Sequence, residues 1–79
     1  MRIQVVFLGR AAEVVKKEGS TLEDLIRVTG KKISRRFYRR YVEGHYVFIP
    51  LVNNVPINNP KYVLRDRDRV VFITPEMGG

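Results

Sequence analysis

Leu64-Arg65-Asp66-Arg67-Asp68-Arg69-Val70-Val71-Phe72-Ile73-Thr74-Pro75-Glu76-Met77-Gly78-Gly79 holds three signals in series. Leu64 to Asp68 reads as a polar turn. Arg69 to Thr74 is rich in β-branched residues and reads as a strand, which Pro75 stops because it cannot donate to a ladder. A short tail then projects. Alternation along the strand puts Val70 and Phe72 on one face and Val71 and Ile73 on the other.

Working outward, the opening stretch has the same character. Ile3, Val5 and Phe7 share one face of a first strand; Gln4, Val6 and Leu8 share the opposite one. Gly9 marks a turn, and Ala12 to Lys16 reads as a return strand. Lys17-Glu18-Gly19 breaks the pattern. Ser20 with Glu23, or Thr21 with Asp24, has capping-box spacing, and acids in a first turn suit the helix dipole. Leu22, Leu25 and Ile26, with Val28 or Thr29, form an apolar stripe, and Gly30 is a natural residue to end that helix. Ile33, Phe37 and Tyr41 are spaced by four, which predicts a second short helix ended by Glu43-Gly44. His45 to Val52 reads as a strand with an edge or bulge at Pro50. Asn53-Asn54 is a tight turn, Val55 to Ile57 a short return strand, and Asn58-Asn59-Pro60 a loop. The expected class is α+β: a mixed sheet of four or five strands with helices packed on one face.

Composition narrows the chemistry. The chain has 79 residues, no cysteine, one histidine and a net charge of +7. That length holds one small domain, which buries only about 60% of its unfolded surface. Without cysteine there is no disulfide scaffold, thiolate metal site or thiol nucleophile, and one histidine does not make a metal cluster. No metal or bound cofactor is expected. Arg27, Lys31, Lys32, Arg35, Arg36, Arg39 and Arg40 fall in one acid-free segment. The remaining eight basic residues balance the eight acidic ones, so the whole net charge sits there. The run Ile3 to Leu8 is too short for a signal sequence, and nothing approaches the roughly 18 apolar residues of a membrane span. A cytoplasmic protein with no membrane partner is the expectation.

A Gly-Gly end has a physical use. Without Cβ atoms, Gly78 and Gly79 enter a narrow channel and take backbone angles closed to other residues. An unhindered terminal carboxylate is open to activation as an acyl-adenylate, by chemistry belonging to a partner enzyme. The strand Ile3 to Leu8, the helix start Ser20 to Leu25, the Leu51-Val52-Asn53-Asn54 strand-turn and the 64–79 stretch together resemble the ubiquitin-like sulfur carriers of the β-grasp fold. The nearest resemblance is to the small subunit of molybdopterin synthase; the thiamine-pathway sulfur carrier is more distant. The resemblance spans nearly the whole chain and rests on the combination of motifs. It implies a β-grasp domain over 1–75 and a tail over 76–79. It further implies a non-catalytic carrier whose Gly79 is adenylated by an E1-like adenylyltransferase using ATP. The end then becomes a thiocarboxylate and donates sulfur inside a larger synthase subunit, in molybdenum cofactor synthesis. Two departures stand out: Arg67 sits where the family often has glycine, and a second proline is missing at Thr74 or Glu76.

Val6, Leu8, Val71 and Ile73 are the expected partner-docking residues, with Pro75 and Met77 continuing them along the tail. Arg35, Arg36, Arg39 and Arg40 offer electrostatic docking or simply a solvated face. A protein modifier joined through Gly79 shares the tail chemistry and is the alternative. An RNA-binding module is the third reading, weakened because Phe37 and Tyr41 are expected to face the core. His45 is read as structural. Asp66 and Asp68 are read as turn formers and salt-bridge partners, not as an acid–base pair.

Overall fold

Every second residue of the predicted first and last strands is apolar and buried, and this alternation builds the sheet. The computed structural model describes residues 1–7, 9–32, 35, 39 and 48–73. Strands β1 (Arg2–Phe7), β2 (Arg10–Val15), β3 (Ile49–Val52), β4 (Val55–Pro56) and β5 (Arg69–Ile73) and helix α1 (Leu22–Lys32) are the elements among them. The strands form one sheet in the order β2-β1-β5-β3-β4. β1 and β5 run parallel at its centre; the other pairs are antiparallel. The α+β class, the mixed sheet and the helix on one face are therefore as expected.

Ile3, Val5, Phe7, Val14, Val52, Val70 and Phe72 point to the side covered by Leu22, Leu25 and Ile26 of α1. Phe48 and Phe72 meet edge to face, with ring centroids 5.1 Å apart. Leu64, placed in the polar turn by the sequence, is instead buried in this core. The turn proper is 65–68, so Leu64 belongs to the connection that packs under the helix.

The helix start is the Thr21–Asp24 version of the box. Asp24 Oδ2 accepts from Thr21 N at 2.9 Å and from Thr21 Oγ1 at 3.1 Å, and Asp24 N donates back to Thr21 Oγ1. These contacts hold the Asp24 carboxyl below its ordinary value of 3.8; the Thr21 backbone N–H is the main cause, opposed by partial desolvation. Leu22 N and Glu23 N donate to the carbonyls of Tyr62 and Pro60, so the loop before β5 caps the first turn. The expected stop at Gly30 is not observed. Gly30 is helical and buried, four residues beyond Ile26 on the stripe that faces the sheet. Packing there offsets the roughly 1 kcal/mol that glycine costs inside a helix.

β2 starts at Arg10 rather than Ala12, because Phe7 pairs with Arg10 directly across the turn, with Gly9 at φ 75°. Asn53 and Asn54 have φ of 51° and 71°, the two positive angles that a two-residue hairpin loop of the right twist demands. β4 ends at Pro56, one residue short of the expected strand. Pro50 lies in an interior strand, contrary to the edge expectation. Its carbonyl accepts from Ile57 N, so its missing N–H would point toward β4, where the ladder ends. No bond to β5 is lost. The predicted second helix and residues 45–47 of the predicted strand fall largely outside the described residues. Arg35 and Arg39 are helical and exposed. Thr74 to Gly79, including Gly78, Gly79, Pro75 and Met77, also lie outside them, as do Leu8, Arg36, Arg40 and His45.

Candidate docking face

The face of the sheet opposite α1 carries Val6, Val71 and Ile73 of the predicted docking residues. Strand pairing aligns them in one row: Ala11 beside Val6, Val6 beside Val71, Val71 beside Leu51, and Leu51 beside Pro56. The row crosses all five strands and contains only aliphatic side chains and proline. Ile73 pairs with Ile49 in the next row toward the end of β5, and Ile49 is 39% exposed. Val6, Val71, Ile73 and Leu51 are half-buried. In a strand pair, register fixes face, so these groups come together because Val5, Val70 and Phe72 are committed to the core. Sequence alternation found Val6, Val71 and Ile73; it missed Leu51, Ile49 and Ala11, which only the strand order brings alongside.

In the opposite direction along the strands the face turns polar. Glu13 lies beside Gln4, and Gln4 beside Arg69. Arg2 follows, with its Nε 3.4 Å from Glu13. Arg2, Gln4, Ala11, Ala12, Glu13 and Arg67 line a concavity of about 420 Å³.

This end is held by a network around the 65–68 turn. Asp68, 6% exposed, accepts from Arg65 N at 2.8 Å and from Asn53 Nδ2 at 2.9 Å. Asn53 Oδ1 accepts from Arg69 N at 3.0 Å, and Asn53 N donates to Arg69 O. Asp66 Oδ1 accepts from Arg2 N at 2.8 Å, and Arg67 N donates to Arg2 O. The turn is thereby bonded to β1 on one side and to the β3–β4 hairpin on the other, which pins β5 between its neighbours. Arg2 N–H is the main cause of the lowered Asp66 carboxyl pKa; partial desolvation opposes it, and the nearby ammonium and Arg67 assist. The turn-forming role of both aspartates is as expected. The salt-bridge role is not observed: among the described residues neither aspartate has an ion-pair partner, and backbone amides together with the Asn53 side-chain amide occupy their carboxylates instead. Arg67 has φ 68°, the left-handed conformation that glycine adopts without strain.

No helix among the described residues is long and apolar enough to cross a membrane. No family model matches the chain, and no curated protein matches it.

Proposed function

We propose that this chain is a β-grasp sulfur carrier that docks through the open face of its sheet and reacts through Gly79. The observation that carries the reading is the central parallel β1–β5 pair. It buries one face under α1, leaves an aliphatic row on the other, and directs β5 from Ile73 into Thr74-Pro75-Glu76-Met77-Gly78-Gly79. A parallel neighbour on one side and an antiparallel one on the other fix the strand that precedes the tail, so docking the face and presenting the tail become one event.

The chain itself supplies a positioned carboxylate. Its oxygen attacks the α-phosphorus of ATP in an adenylating enzyme, releasing pyrophosphate. Hydrosulfide then displaces AMP from the acyl carbon, and the resulting thiocarboxylate delivers its sulfur to a pterin precursor in a larger synthase subunit, water restoring the free carboxylate. Val6, Leu8, Val71, Ile73, Pro75 and Met77 hold the partner; none performs chemistry. Aliphatic docking suits a carrier that must leave one enzyme for the next, because it places few charges to be desolvated.

ATP–pyrophosphate exchange by the adenylating enzyme of the same cell tests the proposal. The full chain should stimulate exchange. Deleting Gly79 should abolish it, and Val71→Asp should weaken it while the circular dichroism spectrum is kept. Exchange that ignores the chain would overturn the reading. Conjugates to lysines of other proteins, formed through Gly79, would assign it instead to protein modification.

A further inference from the structure

The polar end of the open face has three properties that the docking row alone does not explain. First, Arg67 and Arg69 are exposed, and neither has an acid within ion-pair distance among the described residues, whereas Arg2 is matched by Glu13. Second, Arg67 keeps a left-handed backbone at φ 68°, a conformation that costs an L-residue about 1–2 kcal/mol and glycine nothing. A long cationic side chain stands where the fold would be better served by none. Third, Ala11 lines the concavity beside Arg2, Gln4, Glu13 and Arg67, and its small side chain leaves it open.

We propose that an acidic loop of a protein partner enters this concavity, placing a carboxylate against Arg67 and Arg69. An aliphatic strip of the same partner covers Val6, Val71 and Leu51. The inference rests on the open face being the docking surface. It adds the chemistry of the partner and the direction in which it lies, acid toward the 65–68 turn and apolar toward the end of β5. A second copy of this chain does not fit, because a net charge of +7 repels itself and offers few free carboxylates. Nucleic acid fits poorly for a different reason. Base recognition on sheets uses aromatic platforms, and the described strand residues of this face are aliphatic, polar or charged, with no aromatic among them.

The test uses the full chain in its own cell, with the photo-crosslinker p-benzoylphenylalanine at position 4, beside Arg69, or at position 51, in the aliphatic row. Cross-linked peptides are then sequenced. Position 4 should capture a partner segment rich in Asp and Glu, and position 51 an aliphatic segment of the same protein. Combining Arg67→Glu with Arg69→Glu should weaken binding of that partner about tenfold or more, because like charges then face each other. Lysine at the captured acid should restore it. Melting curves of the double variant establish that it is folded. Cross-links from position 4 to neutral or basic segments, cross-links to RNA, no cross-link, or no loss on charge reversal would each overturn the inference. The mass of the Gly79 end reads the carrier proposal separately, so the two fail independently.

Discussion

Asp68→Ala is the substitution whose cost the structure defines best. Asp68 is 6% exposed, and its carboxylate takes one hydrogen bond on each oxygen, from Asn53 Nδ2 and Arg65 N. Bonds to a charged acceptor contribute about 1.5–3 kcal/mol each. Both donors belong to exposed residues, so water recovers part of their loss, and the lower end of that range applies. The two bonds together give a destabilisation of about 3 kcal/mol. A domain of this size melts about 4–8 °C lower per kcal/mol, so the midpoint should fall by more than 10 °C. Asp68→Asn keeps one acceptor and turns an amide N–H₂ toward a donor, and should lose about 2 kcal/mol. Urea unfolding of Asp68→Ala, Asn53→Ala and the double variant separates the shared part: the cycle should show about 1–2 kcal/mol of coupling. A cost below about 1 kcal/mol for Asp68→Ala, or no coupling to Asn53, would refute the claim that this network pins β5.

Arg67→Gly removes left-handed strain of about 1–2 kcal/mol and adds chain entropy worth about 0.5–1 kcal/mol to the unfolded state, so urea unfolding should show a net gain of up to about 1.5 kcal/mol. The same variant should bind the partner less well, a gain in stability with a loss in docking. Thr29 is fully buried, and its hydroxyl finds no hydrogen-bond partner among the described residues. Thr29→Val should therefore raise stability by about 1 kcal/mol, and a loss of that size would reveal a bond to the hydroxyl. Asp24 and Asp66 have folded pKa values below their ordinary 3.8. Their stabilisation is present above that value and fades as pH falls through the lower folded values. Asp24→Asn with Asp66→Asn should accordingly flatten the dependence of stability on pH below about 4, while the wild-type chain loses stability there.

What could be read in advance was whatever depends on local alternation and local caps. Ile3, Val5 and Phe7 against Gln4 and Val6, and Val70 and Phe72 against Val71 and Ile73, are dictated by the two-residue period of a strand. Thr21 and Asp24 are three residues apart and meet within one helical turn. Asn53-Asn54 carries its turn in its own backbone preference. The rest depends on which strands become neighbours, which no local period encodes. The Asn53–Asp68 bond joins positions separated by fifteen residues. Pro60 and Tyr62 cap α1 through carbonyls, which every residue has, so nothing in their side chains announces the role. Gly30 misleads because glycine serves equally at a helix end and at a packed face. The concavity at Arg2 and Arg67 needs β1, β2 and the 65–68 turn together before it exists.

The central claim is that Gly79 is the reacting end, and intact mass spectrometry of the chain purified from its native cell addresses it directly. The account predicts a fraction heavier than the free acid by the difference between one sulfur and one oxygen, located at Gly79 by fragmentation and absent when the activating enzyme is deleted. A chain that carries only the free carboxylate under conditions of active sulfur transfer would contradict it.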